Sequence, residues 1–205
     1  MNPEQSLDMF IRVYLALFFT GVALFYTVRI IRKKRATRRD AVFPGTVLST
    51  GWWAHMSFRF FRLAIWLVCL LRWPFPVVDH YIGYLYALQY SGLQLAGIGL
   101  LTGGFMLAVF GHIALGKDWS SGVDPQGPAS LHTESLYRIS RNPMFLGVKM
   151  AQLGLFLALP SLFTLLCLVA GWLAIDMQLR VEEAALRQKF GNIYDDYCRK
   201  VRRWL

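Results

Sequence analysis

Two short polar stretches hold the residues best suited to chemistry, and each is pressed against apolar sequence. The first, "YRISRNPMFLG" (137–147), sets Arg138, Arg141, Asn142 and Pro143 at the threshold of an apolar run. Arginine is a planar fork of donors that holds a carboxylate through two bonds, so Arg141 is a candidate for positioning an anionic reactant. Pro143 restricts Asn142 to extended geometry and suits the first position of a helix. The second stretch, "RVEEAALRQKFG" (180–191), supplies Glu182 and Glu183. Ionised carboxylates only accept hydrogen bonds, so this pair can receive hydroxyl or ammonium groups. On a helix Glu183 falls on the apolar stripe of Leu179 and Leu186, and Glu182 lies about 100° round from it. An acid on such a stripe requires a partner, and the nearest on the same helix is Arg180, three residues back. His132 either lines the same pocket or faces solvent, the commoner state of a lone loop histidine. His112 reads as a hydrogen bonder at a helix end, and His55 and His80 have no evident partners in sequence. No group of side chains has the spacing of a metal site.

These residues need elements to hold them, and the composition says which kind. The chain has 205 residues, of which 56% are hydrophobic and 15% aromatic, with a mean hydropathy of +0.40. Soluble domains average about 45–50% apolar residues. The excess is gathered in long runs, which marks an integral membrane protein. The first span is expected over 10–28 and the second over 54–73, closed by "PFP" at 74–76, which cannot continue a helix. Arg59 and Arg62, toward the start of that second span, are expected to snorkel to the interface. A long third span is expected over 81–112. It carries seven glycines from Gly83 to Gly111, and Gly97, Gly99, Gly103 and Gly104 would let helices approach closely. Spans four (144–159) and five (161–179) form a hairpin turning at Pro160–Ser161. The expected architecture is an all-α polytopic membrane protein of about five transmembrane helices. Residues 1–80 would hold the first two, and 81–205 a core made of the other three, the loop 113–143 and a C-terminal helix over 176–205.

A net charge of +10 raises the question of nucleic acid, but its distribution argues against it. Seven basic residues lie within 29–39 and seven more between Arg180 and Arg203, each group next to an apolar run. Such clusters set topology and meet anionic headgroups. Residues 1–9, 74–80 and the Pro160 turn contain no Lys or Arg. Five spans then place the N-terminus outside and the C-terminus in the cytoplasm, in the inner membrane if the cell is bacterial. The segment 1–10 carries acids and no base, unlike a secretory leader, so the first span is expected to stay as an anchor. Cys69, Cys167 and Cys198 are odd in number and irregularly spaced, which suggests reduced, structural thiols.

The loop 113–143 and the C-terminal stretch thus face one compartment. The loop is too long for a bare connector and carries Trp119, Leu131, Leu136, Tyr137 and Ile139, so it is expected to fold. The order "LHTESLYRISRNPMFLG", apolar hairpin, "RVEEAALRQKFG", "YDDYCRKV" resembles the isoprenylcysteine carboxyl methyltransferase family, whose wider group includes membrane phospholipid N-methyltransferases. The matching residues are Leu131, Thr133, Tyr137, Arg141, Asn142, Pro143, Phe145 and Gly147, then Glu182, Glu183, Leu186, Phe190, Gly191, Tyr194 and Tyr197. "LGKDWS" at 115–120 is similar to a further short element of that family. Ser135 stands where the family has a glycine, and Asn142 is one of two residues found before its proline. The resemblance implies S-adenosylmethionine bound on the cytoplasmic side, capped by the C-terminal helix, and a lipophilic acceptor entering from the bilayer. It further implies Arg141 and Glu182 at the chemistry. Around the cofactor it implies His132, Tyr137, Arg138, Asn142, Pro143, Gly147, Glu182 and Glu183.

The leading expectation for the acceptor is an isoprenylcysteine-like or other carboxylate or thiol, and the alternative is a phospholipid amine. An amine would prefer a carboxylate near the transferred methyl and would not need Arg141 as counter-ion. Two further readings remain: a relict of the sterol-reductase type, similar in its C-terminal architecture, and a membrane scaffold without catalysis. The sequence is silent on oligomeric state.

Overall fold

A computed structural model describes residues 3–37, 42–125 and 127–205. Arg38 and Arg39 of the basic run, Met1 and Asn2 of the N-terminal segment, and Gln126 of the loop lie outside the described residues. The described chain is all-α apart from one two-residue parallel pair of strands and an isolated bridge between Tyr84 and Ser161. Its helices are α1 (Pro3–Thr37), α2 (Thr50–Arg72), α3 (Val78–Tyr81), α4 (Ser91–Leu115), α5 (Pro143–Ala158), α6 (Leu162–Phe190) and α7 (Asn192–Lys200). Strands β1 (Val42–Phe43) and β2 (Ser121–Gly122) pair in parallel.

Four helices, α1, α2, α4 and α6, are long and apolar enough to cross a membrane by length and composition. The fifth, α5, has 16 residues, or about 24 Å at the α-helical rise, short of a hydrocarbon core of about 30 Å. It nevertheless runs antiparallel along α4, and glycines explain how. A Cβ on Gly97 would meet the Ala158 backbone at 2.4 Å, on Gly104 the Ala151 backbone at 2.5 Å, and on Gly111 the Met144 Cβ at 2.9 Å. From the other side, Gly147 and Gly154 face the backbones of Ala108 and Leu101 at 2.5 and 2.2 Å. Glycines seven residues apart return to one helix face, so two backbones lie in direct contact down the whole seam. Gly99 and Gly103, expected to serve the same contact, meet nothing within 4 Å. The apolar core joins all five long elements through Ile11, Leu15, Ile65, Cys69, Leu101, Leu155 and Cys167.

Two boundaries differ from the sequence reading. The third span begins at Ser91 and not at 81. Gly83 takes a left-handed φ of +65°, and the backbone around it pairs with the α5–α6 turn. Leu85 N–H donates to Pro160 O at 2.9 Å and Leu162 N–H to Gly83 O at 3.0 Å. Backbone committed to that pairing cannot also be helix. The C-terminal stretch, in turn, is no separate helix from 176. Helix α6 runs unbroken through the expected fifth span to Phe190, started by a capping box at Ser161 and Thr164. It ends at Gly191, whose φ of +52° reverses the chain into α7. At the end of the bundle away from the loop, Arg12 and Arg72 are buried against Asp8 and Asp79. Arg12 Nε meets Asp8 Oδ2 at 2.7 Å, and Asp79 binds both arginines.

Candidate active site

The loop between α4 and α5 is tied down at three places. At its start, Trp119 is buried, with the His112 ring 4.8 Å away and the Arg29 guanidinium 4.9 Å above its centroid. Lys33 of α1 donates to the Trp119 carbonyl. Next, β2 pairs with β1, and a Cβ on Gly122 would meet the Phe43 carbonyl oxygen at 1.8 Å, so only glycine fits. Last, a 3₁₀ turn over Ser135–Arg138 precedes α5. Ser135 there has φ +55°, a left-handed conformation that costs a side-chain-bearing residue about 1–2 kcal/mol. This is the position where the resemblance has glycine.

The C-terminal segment clasps that loop. Tyr197 Oη donates to Tyr137 O at 2.6 Å, and Arg141 N–H donates to Arg202 O at 3.0 Å. Ser140 Oγ donates to Arg203 O at 3.2 Å and in turn accepts from Asn142 N–H at 3.2 Å. Arg203 grips Glu183 with both fork nitrogens, Nε to Oε1 at 3.0 Å and Nη2 to Oε2 at 2.6 Å. Arg141 adds a second cation 3.8 Å from Glu183 and donates to Cys198 Sγ. The partner of Glu183 is therefore Arg203, twenty residues on, and not Arg180. Burial first, then the charge of Glu182, pushes the Tyr137 phenol well above its ordinary value. Burial likewise pushes Tyr197 up to about 12, so both phenols stay protonated donors.

Between loop, clasp and α6 lies a cavity of about 600 Å³. His132, Tyr137, Arg141, Asn142 and Glu182 all line it, joined by Tyr194. His132 pairs through Nε2 with Asp118 Oδ2 at 2.9 Å, so this loop histidine belongs to the wall. Arg141 keeps Nε buried without a partner among the described residues. Four expected site residues do not line the cavity. Glu183 is taken up by Arg203, Arg138 is exposed, Pro143 starts α5 at its first turn, and Gly147 is packed on α4.

A second cavity, of about 230 Å³, reaches between the apolar helices. Phe18, Phe61, Phe105 and Leu155 give it an apolar lining. The two cavities share Trp119, Ser120, Gly122, Met144, Phe145 and Glu182 in their walls, so they adjoin at that point. Glu182 Oε1 accepts from Gln178 Nε2 at 2.8 Å, and Oε2 has no hydrogen-bond partner among the described residues. Asp118, Tyr194 and Trp119 line the larger cavity but were not among the expected site residues, Tyr194 having been matched only as part of the C-terminal motif. The "KDWS" element hinted at Asp118 and Trp119, and the Trp119 contacts with α1 span more than eighty residues.

Fold and site together define an all-α, integral membrane protein in which a larger, more polar cavity meets a smaller, more apolar one between the helices. The model of the phospholipid methyltransferase family matches residues 93–193, from α4 into α7, and this part of the chain is similar to that family of membrane methyltransferases. Neither a curated protein nor a solved structure matches the chain. All nine expected site residues fall within the matched segment, whereas α1 and α2 lie outside it.

Proposed function

We propose that the protein moves a methyl group from S-adenosylmethionine, held in the larger cavity, to an amine-bearing lipid held in the smaller one. The observation that carries this reading is Glu182 in the walls of both cavities, where the two reactants would meet. The larger cavity suits the cofactor in size, since small-molecule pockets measure about 300–1,000 Å³. Its chemistry suits it as well. Tyr137 and Tyr194 offer aromatic walls, Asn142 an amide, the His132–Asp118 pair further polar atoms, and Arg141 an unpartnered buried donor for a carboxylate. When bound, the cofactor supplies an electrophilic methyl on a sulfonium sulfur.

The chain's own part is positioning and proton handling. Gln178 holds Glu182 Oε1, leaving Oε2 to attract an ammonium head and to take its proton, which frees the nitrogen lone pair. Met144, Phe145 and Trp119 around the junction exclude water and strengthen that attraction. Arg141 lines only the larger cavity and is held by Glu183, which suits a cofactor contact. By the distribution of Lys and Arg, the larger cavity faces the cytoplasm. The test is transfer of labelled methyl from S-adenosylmethionine to phosphatidylethanolamine by the detergent-solubilised protein, with small prenyl-thiol acids alongside. Label in the phospholipid amine is the expected result. Label in the prenyl acid would return the acceptor to a carboxylate, the reading that the unpartnered Arg141 Nε favours. Calorimetric titration giving no binding at millimolar cofactor would overturn methyl transfer altogether.

A further inference from the structure

Helix α2 carries one histidine and two cations for which the site above has no use. His55, Arg59 and Arg62 fall at i, i+4 and i+7, on one helix face, and all three line the smaller cavity. Arg62 stands near the middle of a 23-residue helix, where an ionised side chain in a membrane is costly and normally marks a functional site. Neither arginine has a carboxylate within ion-pair distance among the described residues. Arg62 lies instead over the Tyr26 ring, 5.3 Å from its centroid. Like charges three residues apart repel, so the pair gains from a shared anion. Glu182, at the junction, is the cavity's sole acidic lining residue among the described residues. Across from α2, Gln152 lines the same cavity and keeps Oε1 buried without a partner. The rest of the wall is largely aromatic and aliphatic.

We propose that His55, Arg59 and Arg62 form a subsite for a phosphate or carboxylate group of the membrane-borne acceptor, set apart from the atom that is methylated. The proposal rests on the methyl-transfer reading for the acceptor's role, but the site itself does not. The family match begins at residue 93 and assigns nothing to α2. At about 230 Å³ the cavity is below the usual range of about 300–1,000 Å³ for a whole small ligand. It therefore takes the head of an amphiphile, and a longer tail must leave between the helices. A fully apolar ligand would leave two arginines unpaired, and a cationic one would be repelled by them.

The test is calorimetric titration of the full chain in a maltoside detergent, which carries no competing anion. The probes are dodecyl phosphate, dodecanoate, dodecyltrimethylammonium and inorganic phosphate. At least one of the two anionic amphiphiles should bind, the tighter one separating a lipid phosphate from a carboxylate, whereas the ammonium amphiphile and inorganic phosphate should not. R59Q/R62Q should weaken the anion at least tenfold with S-adenosylmethionine affinity unchanged, and R59K/R62K should retain most of it. If R59Q/R62Q does not fold, Q152E, which sets a negative charge across the cavity, should weaken the anion similarly. Equal binding of the anion by wild type and the charge-altered variants, or ammonium binding as tight as anion binding, overturns the subsite. Arginine-dependent anion binding without any cofactor binding would keep the subsite and sink methyl transfer.

Discussion

Glu182 and Glu183 are neighbours in sequence with opposite fates. Glu183 points its charge into a two-pronged grip by Arg203, while Glu182 is left at the junction with one oxygen unengaged. Glu182→Gln should therefore cut methyl transfer by about 10²–10⁴-fold, the usual worth of a positioned acid–base group, with cofactor affinity within a few fold. Label transfer and calorimetry on the same preparation check the two halves, and full activity in E182Q would remove Glu182 from the chemistry. A second expectation concerns Ser135, held at φ +55°. Ser135→Gly should raise stability by about 0.5–1 kcal/mol, since glycine takes that conformation without the side-chain penalty, and Ser135→Val should lower it. Thermal unfolding in detergent reads both. Placement was legible in sequence for side chains on the loop and helix next to the larger cavity, as with His132, Tyr137, Arg141, Asn142 and Glu182, all in its wall. It was illegible where the partner is remote. Nothing local to Glu183 points to Arg203, and Arg180 was the reasonable neighbour to name.

At the scale of elements, the α4–α5 seam dominates. Gly154→Ala drives a Cβ to 2.2 Å from the Leu101 backbone and should cost at least the about 1–3 kcal/mol typical of overpacking. Gly99→Ala, with nothing within 4 Å, should be tolerated. A melting-temperature comparison of these two variants isolates the seam from any general effect of losing glycine, and equal losses would contradict it. Composition showed that α4 is glycine-rich, but not which glycines matter. The relevant set, Gly97, Gly104 and Gly111, is picked out by the seven-residue spacing that matches Gly147 and Gly154. The start of α4 was misplaced for a similar reason. Apolar residues run on through 81–90, and hydropathy alone cannot reveal that this backbone is already paired with the α5–α6 turn.

For the whole molecule, the expected arrangement puts the loop and the C-terminal clasp on one side of the membrane and α3 on the other. In a background with Cys69, Cys167 and Cys198 replaced, Ser130→Cys and Lys200→Cys should react with an impermeant maleimide from the same face. His80→Cys should react from the opposite face. Labelling of all three from one side would break the five-crossing topology and with it the cytoplasmic placement of the larger cavity. The clasp also has a consequence for biosynthesis. Residues 197–203 fix Tyr137, Ser140, Arg141 and Glu183, and they follow α6, the last of the described helices long and apolar enough to cross a membrane. A nascent polypeptide that has already inserted α1 through α6 still lacks them while they remain inside the ribosome. The side of the larger cavity formed by Tyr137 and Arg141 is thus braced only after α6 has been made, and a chain stopped at Phe190 has its long helices without the clasp.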